Sequence, residues 1–318
     1  MVGVPAAEID VDLPLTRALL AEQHPDLADR PLELVAHGWD NVMVRLGDDL
    51  AVRLPRRALA APLVEHEQQA LPALAGRLRA TVPDVVVPVP VRVGRPSKPL
   101  GYPWSWNVVP WADGVSAEAT PPETRTAWAG TLGRLLAAVH SPASDDAPPN
   151  PVRGVPLRDR AEAREPATLD ERLAAVPPGA RTAARRVWEH ALEVPAFDGP
   201  PVWLHGDPHP ANLVVAPGGD GGPDRLAAVV DWGDVTSGDP ASDLGSLWLC
   251  FDADGHAACR AEVQARANGG RGWDDATWAR AAGWALLYAT NMLAHPEQHP
   301  RMVPIGRHAL AALLDGAA

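Results

Sequence analysis

Between Leu32 and Leu54 three short apolar runs, LELVAH (32–37), VMVRL (42–46) and LAVRL (50–54), are separated only by GWDN and GDD. Connectors this short, made of turn-forming Gly, Asn and Asp, join antiparallel strands, so residues 32–54 are expected to form a three-stranded meander. The next segment, APLVEHEQQALPALAGRLRA (61–80), carries Leu63, Glu67, Ala70, Leu71, Leu74 and Leu78 on one helical face. A helix is expected there, broken at Pro72. VVVPVPVRV and YPWSWNVVP follow, both strand-like with proline at edges or ends. With a short amphipathic helix over 12–23, the first hundred or so residues read as a sheet of about five strands and one principal helix.

After Pro110 the pattern changes. Helical periodicity covers 122–141, the stretch PASDDAPPNPVRGVP (142–156) is loop, and helices are expected over about 157–173 and 178–193. Short β-runs VWL, LVV and LAAVV come next, and helices fill most of 240–316. The 318 residues are near the size at which one core stops growing. The expected fold is therefore α+β and bilobal: a β-rich lobe over 1–110 and a larger, mainly helical lobe over 111–318, with a helical insert at about 157–193.

Charge and cysteine content narrow the partners. A net charge of −12 argues against a nucleic-acid partner, because such affinity needs clustered Lys and Arg. Only two cysteines are present, Cys250 and Cys259, so neither a disulfide framework nor a zinc cluster is expected. The first twenty residues hold three acids, no basic segment and no long apolar run, which points to a cytoplasmic protein without a membrane partner. Oligomeric state is left open.

The chemistry concentrates in two segments. In LHGDPHPAN (204–212) an apolar strand ends at His205, Asp207 follows a glycine, and Asn212 stands five residues later where the next strand begins. In LAAVVDWGD (226–234) a buried-type strand ends at Asp231. Hard Mg²⁺ takes oxygen ligands, commonly one or two protein groups beside phosphate oxygens and water, and Asn212 and Asp231 supply such oxygens. Asp207 is then a separate carboxylate able to accept the proton of an attacking hydroxyl. A competing reading is a zinc hydrolase on His205, Asp207 and His209, which spell H-x-D-x-H. Pro208 and Pro210 oppose a regular strand through that triplet, and the zinc reading leaves Asn212 and DWGD without a role. The acids at 252, 254, 274 and 275 either line a site for a cationic acceptor or form a solvated face. No G-x-x-x-x-G-K-[ST] loop, G-x-S-x-G elbow or dinucleotide fingerprint occurs.

HGDPHPAN followed by VVDWGD resembles the catalytic loop and metal segment of the protein-kinase-like fold, in the variant found in the aminoglycoside phosphotransferase family and its relatives among macrolide and choline kinases. The Asp207-to-Asn212 spacing is that of H-R-D-x-x-x-x-N, and Trp232 stands where D-F-G has phenylalanine. SGDPASDLGSLW resembles the family's G-D-P-x-x-D-L segment. Asp239 and Pro240 read as a helix N-cap and first-turn pair. The resemblance implies that Asp243 steadies the catalytic loop, with His205 as its buried anchor.

In the same frame HGWDNVMVRLGDD, with Gly38 and Asn41, covers the nucleotide phosphates without a G-x-G-x-x-G, and Trp39 reads as a staple of that turn. Arg53 stands where the fold usually carries a phosphate-binding lysine, and a guanidinium is competent for that task. Its partner is expected to be Glu67, which lies on the apolar helix face, and not Glu65. The backbone of Val108, Val109 and Trp111 is expected to meet the base. The implied reaction moves the γ-phosphoryl of ATP or GTP, with Mg²⁺ on Asn212 and Asp231, to a small-molecule hydroxyl that Asp207 deprotonates. An antibiotic, above all an aminoglycoside, is the leading acceptor; macrolides, choline-like amines, sugars and amino alcohols stay open. A nucleotide-binding module without turnover is the non-enzymatic alternative, opposed by the presence of Asp207, Asn212 and Asp231 together.

Overall fold

A computed structural model describes residues 6–315 apart from Trp39, residues 163–168, His295 and Gln298; the staple reading of Trp39 and the middle of the 157–173 helix lie outside the described residues. Helix α1 (Leu13–Gln23), capped by the Asp12 carboxylate on Leu15 N–H, leads into β1 (Leu32–His37), β2 (Asn41–Leu46) and β3 (Leu50–Pro55). The meander is the one expected from its turns. Helix α2 (Ala61–Thr81), β4 (Arg92–Gly94) and β5 (Trp106–Pro110) complete a five-stranded antiparallel sheet of order β1-β2-β3-β5-β4.

Period-two alternation sorts the strand residues between two faces. Val42, Val44, Leu46, Val52, Leu54, Trp106 and Val108 form one buried cluster with Leu19 and Leu20 of α1. Met43 pairs with Arg53, and Arg53 with Asn107, which puts these residues on the opposite face, toward α2. Helix α2 runs unbroken through Pro72, against the expected break. Proline's fixed φ suits a helix, so the loss is confined to its missing N–H and a steric strain. Buried Ala70, Leu71, Leu74 and Leu78 on both sides of it hold the axis.

Two glycines give a paired stability test. A Cβ on Gly94 would sit 1.9 Å from Cε2 of the fully buried Trp106, whereas one on the exposed Gly76, inside α2, meets nothing within 4 Å. Gly94→Ala is therefore expected to cost about 2–3 kcal/mol through core strain, and Gly76→Ala to stabilise by about 0.5–1 kcal/mol through helix propensity. Urea midpoints of opposite sign check both; equal shifts would mean that the Trp106 ring moves aside freely.

The rest of the chain runs β6 (Val115–Ser116), α3 (Thr126–Val139), α4 (Leu157–Glu162), α5 (Leu169–Ala174), α6 (Arg181–Glu193), β7 (Val202–Leu204), β8 (Leu213–Ala216), β9 (Arg225–Val229) and β10 (Thr236–Gly238). It ends with α7 (Ala241–Leu244), α8 (Leu247–Cys250), α9 (Ala253–Gly270), α10 (Asp275–Ala294) and α11 (Met302–Asp315). Asp252 and Asp274, two of the acids left open above, accept from Gly255 N–H and Thr277 N–H at the starts of α9 and α10, so both are helix caps. Helix α3 lies so close to α9 that a Cβ on Gly133 would come 2.4 Å from the Cys259 carbonyl oxygen. In the core between α10 and α7, the Arg280 guanidinium pairs with Asp239 at 2.7 Å, both groups buried.

Three short ladders position the loops that matter. Strand β7 ends at Leu204, opposite Thr236 of β10; β8 begins at Leu213, opposite Val229 of β9; and Val86 bridges to Ala228. The segments leaving β7, entering β8 and leaving β9 are thereby brought side by side. No helix among the described residues is long and apolar enough to cross a membrane.

Candidate active site

A cleft of about 470 Å³ opens between the five-stranded sheet and the β8–β9 hairpin. Gly38, Asn41 and Arg53 line it from the sheet, and Val109 and Trp111 from the chain leaving β5. Asp207, Asn212, Asp231 and Asp234 line it from the facing loops. Val86, Pro88, Val214 and Ala228 give it an apolar wall, the surface on which a planar base packs.

Arg53 is the electrostatic centre of the sheet side. Its guanidinium pairs with Glu67 Oε1 and, through Nη2, with Asp231 Oδ1 at 2.6 Å. Glu67 Oε1 also accepts Trp232 N–H at 3.0 Å, so one buried carboxylate ties β3, α2 and the Asp231 segment together. Glu65, one of the two candidates on this helix, instead accepts from Ser105 at the surface. Burial pushes the Glu67 carboxyl up to about 7 against the pull of Arg53, and Asp231 adds to the rise. Arg53 is the reverse case: burial lowers it, but Glu67 and Asp231 together raise it further, and it is charged throughout.

The catalytic-loop candidates are held from below by Asp243, which is fully buried. Its Oδ2 accepts His205 N–H at 2.8 Å, its Oδ1 accepts Gly206 N–H at 2.9 Å, and His140 Nε2 stands 3.2 Å from Oδ2. Gly206 has φ +91, and a Cβ there would lie 2.2 Å from the Asp234 carbonyl oxygen, so this turn requires glycine. His205 accepts Asp207 N–H on Nδ1 (3.2 Å), which leaves Nε2 to donate to the Val230 carbonyl at 3.1 Å. Burial lowers its pKa, and the neutral ring links the Asp207 turn to the residue before Asp231. With both ring nitrogens committed to main chain, His205 is not arranged as a zinc ligand. Among the described residues no group of three or more His, Cys, Asp or Glu side chains is placed to hold a metal ion.

Asp207 is one-quarter exposed and faces Arg153 and His209. Oδ1 takes a 2.8 Å bond from Arg153 Nη2, and Oδ2 lies 3.4 Å from His209 Nε2. Burial pushes the Asp207 carboxyl up, but Arg153 and His209 outweigh it and hold the group well below the usual carboxylate range. Asn212 Nδ2 donates to the Asp207 carbonyl at 3.0 Å, which turns its own amide oxygen away from that bond. Asp231 is half-exposed and sits at φ 60, ψ 63, a left-handed conformation costly for a non-glycine residue and frequent at functional sites.

Two sequence expectations need correction here. Val108 faces the core cluster and not the cleft, and its carbonyl accepts Val91 N–H; alternation puts Val109 on the cleft side. Trp111 does line the cleft, but its N–H donates to the Asp49 carbonyl, so that donor is not available to a base. Asp239 does cap the helix that follows it, accepting Ala241 N–H on its carboxylate, with the regular turns starting at Ala241, and it also pairs with Arg280. Sequence reading missed Arg153, which only an R-G step in a proline-rich loop announces; Asp234, the last residue of DWGD and readable there as a second metal ligand or a turn acid, accepts from Asn150 Nδ2 at 2.8 Å.

The profile of the phosphotransferase enzyme family matches residues 31–284. The solved GDP complex of wild-type aminoglycoside 2'-phosphotransferase-IIIa has a TM-score of 0.61 at 17% identity, over 96% of this chain and 99% of that one. Macrolide 2'-phosphotransferase MphH from Brachybacterium faecium, as apoenzyme, gives 0.51 at 22% identity over 95% and 98%. A ternary complex of a thermostable mutant of aminoglycoside phosphotransferase APH(4)-Ia with AMP-PNP and hygromycin B gives 0.53 at 14% identity over 95% and 99%. At these identities the likeness establishes the shared α+β kinase-like fold. No curated protein matches the chain significantly.

Proposed function

Since the chain belongs to the phosphotransferase enzyme family, we propose that it moves the γ-phosphoryl group of ATP or GTP to a hydroxyl of a small molecule, an antibiotic such as an aminoglycoside being the leading acceptor. The observation that carries this reading is the convergence of Arg53, Asp207, Asn212 and Asp231 on one cleft. The bound nucleotides and aminoglycosides of the structural relatives support the choice of reactants. In this reading residues 1–110 grip the nucleotide and 111–318 carry the base and the acceptor site.

Arg53, oriented by Glu67, binds phosphate oxygens with its planar fork. The residues fit Mg²⁺: the Asp231 carboxylate and the Asn212 amide oxygen are hard donors, and their number suits an ion that keeps phosphate and water ligands. When bound there, Mg²⁺ would neutralise charge on the phosphates. Asp207 accepts the proton of the acceptor hydroxyl as its oxygen bonds to the γ-phosphorus. The bond from that phosphorus to the bridging oxygen breaks, and the electron pair leaves with the nucleoside diphosphate. Positioning and preorganised charge supply most of the acceleration, as phosphoryl transfer requires.

The test is nucleotide turnover, followed as diphosphate release with Mg²⁺ and ATP or GTP, against aminoglycosides, macrolides, sugars and amino alcohols. Acceptor-dependent release is expected; tight nucleotide binding with no release under any condition would favour the binding-module alternative. Arg53→Ala is expected to reduce kcat/KM for nucleotide by about 10–100-fold, the worth of a charge-assisted phosphate contact. Arg53→Lys should recover part of it. If Arg53→Ala turns over like wild type, β3 does not hold the phosphates.

A further inference from the structure

Arg153 is fixed in place by backbone that tolerates almost no change. The next residue, Gly154, has φ +68, and a Cβ on it would meet Leu204 Cδ1 at 2.7 Å and the Ser237 carbonyl at 2.9 Å. Gly154 N–H donates to Ser242 Oγ (3.2 Å), and its carbonyl accepts Asp239 N–H (2.9 Å). Three residues earlier than Arg153, Asn150 is pinned to Asp234. The guanidinium so presented bonds Asp207 Oδ1 through Nη2 and rests over the Tyr288 ring of α10, 5.1 Å from its centroid. Its Nε is buried and has no hydrogen-bond partner among the described residues.

The side from which Arg153 reaches Asp207 decides its use. Asp207 and Asp234 line the cleft assigned to the nucleotide, and Arg153 does not. It approaches from the face of Asp207 turned toward α10. With the nucleotide on one side of the base, the attacking hydroxyl comes from the other, where a permanent cation, its side chain still 17% exposed, stands within one bond of the reacting group. Such a cation has two consequences. It donates to an oxygen carried beside the reacting hydroxyl, and it repels a protonated amine in that position. The neighbouring carboxylates do not stand between this cation and the acceptor: Asp243 is fully buried beneath the loop, and Asp234 lines the cleft on the nucleotide side.

Resting on the phosphotransfer reading above, we propose that Arg153 is a specificity-determining residue of the acceptor seat, selecting acceptors with a hydroxyl or carboxylate beside the reacting hydroxyl over those with an amine there. An aminoglycoside would then react at a ring position flanked by oxygen.

The experiment compares kcat/KM for matched acceptors that differ by a hydroxyl or an amine at one ring carbon, glucose against glucosamine and kanamycin A against kanamycin B, in wild type, Arg153→Met and Arg153→Lys. A ratio taken within one preparation does not depend on how much of a variant is folded. Wild type is expected to favour the oxygen member by at least about tenfold, a like-charge penalty at short range. Arg153→Met should bring the pair to within about threefold, and Arg153→Lys, which restores the charge, should restore the direction of preference. A wild type that treats the pair alike or prefers the amine, or an Arg153→Met variant that keeps the wild-type ratio, overturns the inference while leaving the reaction intact. No nucleotide consumption by wild type with any acceptor, water included, overturns the phosphotransfer reading and this inference with it.

Discussion

Asp207→Asn is expected to lower kcat by about 10²–10⁴-fold, the usual contribution of a positioned general base, while nucleotide KM stays within about threefold. The amide has the same shape and cannot take the proton. The loop should survive the exchange because its main-chain bonds do not use the carboxylate: Asp207 N–H donates to His205, and its carbonyl accepts from Asn212. The exchange does remove the partner of Arg153, and a buried guanidinium facing an amide loses stability, so a thermal melt belongs beside the kinetics. A variant that melts near wild type, binds nucleotide normally and fails to release diphosphate isolates the proton-accepting role. If kcat falls by less than tenfold, another group takes the proton; if KM rises instead, Asp207 serves binding.

What the sequence disclosed follows from what is local. The β1–β3 meander was legible because turns of three or four residues leave no other pairing, and α2 because six residues share one face. That same face separated Glu67 from Glu65, since only an inward carboxylate reaches β3. Pro72 misled because a proline breaks a helix only when packing does not hold the axis, and the packing of Leu71 and Leu74 is a tertiary fact. Val108 misled because a strand of five residues does not declare which alternate set faces the cleft; α1 settles that by covering Val42, Val52 and Val108 on one side. Arg153 was invisible for a different reason. It lies 54 residues from Asp207 in a loop without periodicity, and what aims it is a left-handed Gly154 wedged against β7 and β10. Long-range ion pairs of this kind leave no spacing in the sequence to find.

Asp243 offers the second large effect, because one carboxylate supports the whole catalytic loop without touching the cleft. Asp243→Ala leaves the N–H groups of His205 and Gly206 and the ring of His140 without their acceptor, all inside the protein. Each stranded donor costs about 1–3 kcal/mol, so a loss of about 3–5 kcal/mol is expected in the urea midpoint. Asp243→Asn is expected to fall between Ala and wild type: its single carbonyl satisfies one of the two backbone donors, and its amide NH2, itself a donor, confronts the other. The effect on turnover should follow the loop and not the cleft. His205 sets the Asp207 turn on one side and the Val230 carbonyl on the other, so a loosened His205 displaces the base relative to Asp231. Both variants, assayed where they remain folded, should lose at least about tenfold in kcat, since small misplacements of a reacting group carry penalties of that size. Nucleotide KM should stay close to wild type, because Arg53, Glu67 and the apolar wall are untouched. Equal losses in kcat and stability from a buried substitution elsewhere in the same core, such as Trp284→Leu, would mean that Asp243 acts only through global stability; a kcat loss confined to Asp243 would assign it to the positioning of Asp207.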